Sequence, residues 1–499
     1  MEPGAIPLTV RRRASTDSAT VSLFSAPSDS GSRSGSRAGE LERSLGLWDG
    51  MAMVAGAVIG SGIFSTPGLI LAAVGSVGMS MVVWVVGAAV SVCGCIAYME
   101  LGTMLPRSGG EKEYLDAAFP RPRALLPFLF CMTYIAICGP SGMAADATVT
   151  GTYLLYAATG RATGHAEWAQ RAIGVAVAAL CVVLHGFFVH AAIRIQSALT
   201  VVKVLLLLLI VVVGAAKGIG GEHSSTAADV FAGTSTHPSA YVSALFKVFF
   251  AYSGYTSLNY SIDELRDPMR NLPRAALGGL LVTAALYVLS NAAYFLVLDP
   301  AAVRESGTAV AAVFFSQTLG NAWGHHIVPL LIGLATLGNV MCATFAASRV
   351  VFEAAREGYL PLGAALGEIS RFRSPLAALG LCGALGCLFI VAPPPGEAYG
   401  FLIDIGGYPQ WLFSGAAAVG LLVMRRTHAH LPRPFKAWHL ANAVTIACAV
   451  FMCIVPFVRP DHPDPRAIPH WAAPLAALTF IAASCGAWAM MRYWRGSFK

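Results

Sequence analysis

Two short glycine-bearing interruptions carry the most legible chemistry in this 499-residue chain. Gly60-Ser61-Gly62 breaks the first long apolar run, and Tyr252-Ser253-Gly254-Tyr255 breaks the sixth. A helix that unwinds frees backbone N–H and C=O groups. The start of the following half-helix is partially positive and attracts a carboxylate; the end of the preceding half offers carbonyls to an ammonium. Two broken helices running oppositely side by side can therefore hold both ends of an α-amino-acid zwitterion. Gly60 and Gly62 let a backbone approach a ligand closely. Ser61 adds a hydroxyl donor, and Phe250, Ala251 and Ser253 supply the matching backbone of the sixth run. Phe250 can also cover the site as an aromatic gate. The competing reading of Gly-Ser-Gly in a membrane helix is close helix packing. A second break in register with the first favours ligand binding.

Ionisable residues inside apolar runs are costly and usually functional. Lys203 lies in SALTVVKVLLLLLIVVV, Asp146 in the third run and Asp404 in the tenth. Asp146 has three open roles: contact with a substrate side chain, carriage of a proton, or pairing with Lys203. Asp404 is placed to line the path. Both also have the plainer role of a satisfied polar contact between helices, and Lys203 that of snorkelling to the membrane surface. Arg349 and Glu353 are four apart and predict a pair on one helix face. Asp263, Glu264 and Arg266 cap the sixth run and predict a gate network on the cytoplasmic side. His185, His190, His325 and His326 lack metal-ligand spacing with Cys or carboxylates, so no metal site is expected. No Walker A pattern and no nucleophile–base set occur, and neither ATP-driven pumping nor catalysis is expected. No cofactor is expected.

The elements that must position these residues follow from composition. Hydrophobic residues make up 56% of the chain and charged residues 12%, about half the charged share of soluble domains. Apolar windows of about 20 residues recur near 47–75, 77–104, 124–156, 170–190, 197–217, 240–263, 274–298, 322–354, 373–392, 396–423, 437–458 and 469–493. The expectation is an all-α polytopic membrane protein with twelve spans in one domain over 44–495, behind a disordered Ser-, Gly- and Arg-rich tail over 1–43. Residues 105–123 are too polar to span and predict a cytoplasmic loop carrying a short helix. Basic residues crowd the connections on one side, which predicts both termini in the cytoplasm, at the plasma membrane or an endomembrane. The net charge of +7 fits anionic lipid rather than nucleic acid. The eleven cysteines all fall in apolar segments and read as small buried hydrophobes.

Interrupted spans at corresponding places in two halves point to inverted repeats and a site at the membrane midplane. Five-span repeats over about 47–217 and 240–423, with helices 1 and 6 broken and two further helices over about 437–493, describe the LeuT-type fold.

Several ordered stretches resemble one family. Ile59-Gly-Ser-Gly-Ile-Phe-Ser-Thr-Pro67 resembles the first-helix signature of the L-type amino-acid transporters, in the amino acid–polyamine–organocation superfamily. Glu100-Leu-Gly-Thr, Ser108-Gly-Gly-Glu-Lys-Glu-Tyr114, Phe250-Ala-Tyr-Ser-Gly-Tyr255, Asn259 to Pro268, Arg270-Asn-Leu-Pro273, Ser348-Arg and Ala355 to Pro361 follow in order. The resemblance covers roughly 43–495. Gly110 to Tyr114, Ala392 to Tyr399 and Pro469-His-Trp look most like the fungal branch, which includes methionine-permease-like members.

This resemblance implies amino-acid transport by alternating access. It implies substrate binding by Ile59, Gly60, Ser61, Gly62, Phe250, Ala251, Ser253 and Thr256, with Ser61 and Gly62 on the carboxylate, the sixth-helix backbone on the ammonium, and Phe250 as the gate. Thr256 stands where many animal relatives have Asn. Lys203 takes the place of a structural sodium ion and ties the first helix, which implies sodium independence. The animal heteromeric branch bonds a heavy-chain glycoprotein through a cysteine after the third span. The loop here, AATGRATGHAEWA, has none, which argues against a covalent heavy-chain partner. No charge adjoins the breaks, which predicts a neutral side chain on the substrate, and the resemblance implies one of methionine or leucine size. A cationic or broad-range transporter using Asp146, and an amino-acid receptor without net transport, are the rival readings.

Overall fold

The computed structural model describes residues 45–160, 167–218, 230–320, 322–372, 374–394, 398–458 and 469–497. The predicted tail over 1–43 and residues 161–166 of the loop after the third span lie outside them. Among the described residues the secondary structure is helical, apart from one isolated bridge between Leu45 and Leu265. Among the described residues eight helices are long and apolar enough to cross a membrane, and the bent pair Leu47–Val58 and Gly62–Val74 makes a ninth. The other three predicted runs hold the fourteen-residue helix Pro238–Ala251, the sixteen-residue Leu376–Val391 and the thirty-residue Ala398–Thr427. The first two are short. The third carries Asp404, Gln410 and two adjacent glycines, which dilute its apolarity.

Lipid-facing and interior faces separate cleanly on the fifth span, Val189–Gly218. Val201, Leu205, Leu208 and Val212 are exposed at helical spacing, as a lipid-facing stripe requires. Lys203, Leu206, Leu207 and Ile210 are buried on the other side. Lys203 thus points into the bundle, only 2% exposed, and does not snorkel.

The predicted polar loop after the second span forms the short helix Glu111–Ala118. Its Glu111 is fully buried and accepts from the Tyr98 hydroxyl at 2.9 Å and from Tyr260. Glu100, at the end of the second span, is also fully buried. Arg425 Nε donates to it at 3.0 Å and the Ala437 amide at 2.8 Å. A buried carboxylate is tolerated only when paired and hydrogen-bonded, and here it clamps the ends of two helices.

Arg349 does not pair with Glu353 as helical spacing predicted. Its Nη1 lies 2.9 Å from Glu264 Oε1, while Glu353 lies 3.9 Å from Arg356. An exposed pair on one helix is weak, and the sixth run's end offers Arg349 a carboxylate across a tertiary contact instead. The rest of that predicted cluster is tied down as well. Asp263 and Ser108 exchange two hydrogen bonds, each 3.1 Å, and the backbone of Leu45 bonds Glu264 and Arg266.

Candidate functional site

The first break is a true interruption. Helix Leu47–Val58 ends at Ile59, whose ψ of 87° leaves the helical region, and a second helix starts at Gly62, bent by 43°. At membrane depth the freed backbone groups need partners, and side chains from several helices provide them. Lys203 Nζ donates to the Gly56 carbonyl at 3.0 Å. The Tyr287 hydroxyl donates to Val58 at 2.8 Å. Ser65 Oγ donates to the Ser61 carbonyl at 2.8 Å and Thr66 Oγ1 to Gly62 at 2.9 Å. The Tyr153 hydroxyl donates to Phe64 at 2.5 Å.

The sixth run breaks after Ala251. The Ser253 amide and hydroxyl both turn back to the Phe250 carbonyl, at 3.1 and 2.7 Å. Gly254 has φ +101°, a conformation that favours glycine, and a Cβ there would stand 2.7 Å from the Ala57 carbonyl oxygen. Only short 3-10 turns follow, Ser257–Tyr260 and Ile262–Glu264.

The two breaks meet. A Cβ on Gly62 would lie 2.6 Å from Ala251 Cα, and one on Gly60 would lie 2.6 Å from Asn339 Nδ2. The structure thus brings Gly62 against Ala251, Gly60 against Asn339, and Gly254 against the backbone of Ala57 and Val58. Ile59 is fully buried and Ala251 nearly so. Phe250 is half-buried and meets Tyr399 edge-on, with ring centroids 6.2 Å apart. Ser253 is exposed and Thr256 half-buried.

Ser61 is fully buried, and a carboxylate already faces it. Its hydroxyl donates to Asp146 Oδ1 at 2.5 Å and its amide to the same oxygen at 3.3 Å. Asp146 is presented by the third span, which contains a π-helical segment, Tyr134–Cys138, immediately before helix Gly139–Thr159. The other oxygen, Asp146 Oδ2, accepts from Asn339 Nδ2 at 2.6 Å. Asn339 Oδ1 in turn accepts from Lys203 Nζ at 3.3 Å. The amide of Asn339 therefore relays between the ammonium of Lys203 and the carboxylate of Asp146, with its orientation set by this network. Lys203 and Asp146 form a pair through an intermediary, which keeps both charges compensated in an apolar interior. Asp404 is half-buried on the tenth run, five residues past Tyr399; the carboxylate on Ser61 is Asp146.

Asn339, Tyr287, Tyr399 and Ser65 are the site residues that sequence reasoning missed. Asn339 left a usable signal, a lone amide in the apolar stretch LIGLATLGNVMC. Tyr287 and Tyr399 left none, because a tyrosine that binds a freed carbonyl and one that fills a core look alike in sequence. Tyr399 and Ser65 Oγ lie 2.5 Å apart, and this contact joins the second half-helix of the first span to the tenth run.

The amino acid permease family model matches residues 45–482. The high-affinity methionine permease of Saccharomyces cerevisiae is 31% identical over 443 residues, covering 86% of this chain and 76% of its own length. The b(0,+)-type amino acid transporter 1 of Mus musculus is 30% identical over 420 residues, 84% of this chain and 83% of its own. The Asc-type amino acid transporter 1 of the same organism is 32% identical over 421 residues, 84% and 77%. Both the match along nearly the whole described chain and the apposed breaks point one way. This chain is a multi-pass membrane protein of the amino acid permease family, a transporter rather than an enzyme.

Proposed function

We propose that this protein is a secondary transporter of neutral L-amino acids that works by alternating access without sodium. The observation that carries the reading is the contact of the two breaks at Gly62 and Ala251, with the Ser61 amide and hydroxyl aimed at a carboxylate. Oppositely running half-helices here offer N–H groups to a carboxylate and carbonyls to an ammonium. In this reading Ile59 to Gly62 take the substrate carboxylate, Phe250, Ala251, Ser253 and Thr256 take the ammonium side, and Phe250 closes over the ligand. Spans one, two, six and seven rock against the rest. The twelve-span, 5+5 inverted-repeat arrangement belongs to this reading, as do cytoplasmic termini and function without a covalent heavy chain.

Sodium independence is supported by Lys203, whose ammonium bonds the Gly56 carbonyl beside the break. An ammonium there supplies the positive charge that a cation would bring. A neutral substrate is supported by Asp146, whose oxygens are held by Ser61 and Asn339 rather than offered to a cationic side chain. The name of the yeast relative makes methionine the first substrate to try.

The test is counterflow and uptake of radiolabelled L-methionine in proteoliposomes, with all twenty amino acids as competitors. Saturable counterflow, competed best by methionine- or leucine-sized neutral residues, is expected. Arginine or lysine competing best would sink the neutral reading, and binding without counterflow would favour a receptor.

A further inference from the structure

We propose that Asp146 is the coupling-proton site: its ionised carboxylate occupies the Ser61 donors a substrate carboxylate needs, and a proton must neutralise it before substrate binds. The inference rests on the amino-acid transport reading above and deepens it by naming the coupling ion.

The geometry makes the two carboxylates competitors. Ser61 has one amide proton and one hydroxyl proton, and both point at Asp146 Oδ1, at 3.3 and 2.5 Å. An ionised acceptor makes hydrogen bonds roughly twice as strong as a neutral one. Ionised Asp146 therefore holds both donors, and neutral Asp146 yields them to a stronger acceptor. A substrate carboxylate arriving at Ser61 is that acceptor.

Charge balance points the same way. Lys203 is 2% exposed and Asp146 3%. An isolated charge at this depth is costly, and the pair is compensated through Asn339. Protonation of Asp146 alone would leave the ammonium of Lys203 without its counter-charge. Protonation together with arrival of a substrate carboxylate replaces one negative charge by another. The proton and the zwitterion thus favour each other's binding.

The groups facing Asp146 permit this exchange. Lys203 is the cation, from the fifth span, and Cys342 faces it from the eighth. Tyr287 from the seventh span and Tyr399 from the tenth run are neutral hydroxyls already bonded to Val58 and Ser65. The fourth and ninth runs also pack on the third. Their Arg171 donates to the Val391 carbonyl at 2.9 Å, His185 Nδ1 lies 2.9 Å from the Cys181 carbonyl, and Cys382 packs in the cluster around Phe128.

The step is a proton transfer. Hydronium from the side to which the site is open gives a proton to the Asp146 carboxylate, and Ser61 passes to the substrate. After release on the far side, Asp146 returns the proton to water and recaptures Ser61. One proton moves with each zwitterion, so each cycle moves one positive charge.

The experiment uses the full-length protein in proteoliposomes loaded with a pH-sensitive dye, with L-methionine as probe. Counterflow without a proton gradient reads transport itself. An imposed inward proton gradient should then drive accumulation, and substrate entry should acidify the lumen. Methionine affinity of the wild type should weaken by about tenfold per pH unit once Asp146 ionises, the limit for one linked proton. Asp146→Asn should lose proton-driven accumulation and bind with no dependence on pH. Counterflow with no lumen acidification overturns the inference and leaves the transport reading standing. Absence of counterflow for all twenty amino acids overturns both. A folded Asp146→Asn protein that keeps the wild-type pH slope, or that binds at no pH, also overturns it. If that variant fails to insert, the wild-type acidification measurement decides.

Discussion

Gly62 and Ala251 touch backbone to backbone: a single added methyl on Gly62 would stand 2.6 Å from Ala251 Cα. The contact joins the break of the first span to the break of the sixth. Because the obstructing atom is main chain, no side chain can rotate away to relieve it.

Gly62→Ala should therefore push the breaks apart. Overpacking of this kind typically costs about 1–3 kcal/mol, and the zwitterion cradle would lose its geometry. The expected result is at least a tenfold loss of methionine affinity, read by binding to purified protein. Gly142→Ala is the control, because a Cβ at Gly142 meets nothing within 4 Å. Equal affinity in the two variants would count against the cradle.

The Lys203–Asn339–Asp146 chain predicts a thermodynamic coupling. Lys203→Met leaves Asp146 without its counter-charge and should lower the melting temperature sharply. Asp146→Asn in the same molecule removes the stranded charge, so the double variant should lose less than the sum of the singles. Couplings of about 0.5–3 kcal/mol are usual for such networks. Strict additivity in thermal unfolding would argue that the two charges do not sense one another.

Lys203 also predicts a response to sodium. If its ammonium on the Gly56 carbonyl does the work of a cation, an inward sodium gradient should leave wild-type uptake unchanged. Strong stimulation by sodium would reject that role.

Arg349 and Glu264 join the eighth span to the end of the sixth. Their side chains are 43% and 23% exposed, so the pair contributes little to stability, within about 1 kcal/mol. Its effect should be on rate. Arg349→Glu and Glu264→Arg should each change the turnover of counterflow several-fold with small changes in melting temperature, and the swapped double variant should recover. Failure of the swap to recover would show that the ion pair does not set the rate.

Glu111 predicts a pH-dependent stability. Burial pushes its carboxyl above the usual carboxylate range, against hydrogen bonds from Tyr260, Tyr98 and Gln410 that lower it. A carboxyl raised in the folded state binds more protons there than in the unfolded chain, so stability falls as pH rises past its unfolded value. Glu111→Gln should raise the melting temperature at pH 8 and lose that advantage at pH 4. An equal shift at both values would refute the sign.

The chain's sequence by itself determined the class, the placement of the helices and both breaks. Long apolar runs, Gly60-Ser61-Gly62 and Tyr252 to Tyr255 are local signals, because helix formation, hydropathy and glycine's freedom act over a few residues. Lys203 and Asp146 were legible as charges in apolar runs, since the penalty for burying a charge does not depend on the partner. Only the tertiary structure decided which partners they have. Asp146 reaches Ser61 across 85 positions of sequence and Asn339 across 193, and no periodicity encodes a contact of that separation. The Arg349–Glu353 pairing failed for the same reason: spacing on one helix reports which residues share a face, whereas packing brought Glu264 closer. Tyr287 and Tyr399 became site residues only when folding carried their hydroxyls to Val58 and Ser65 at the broken helix.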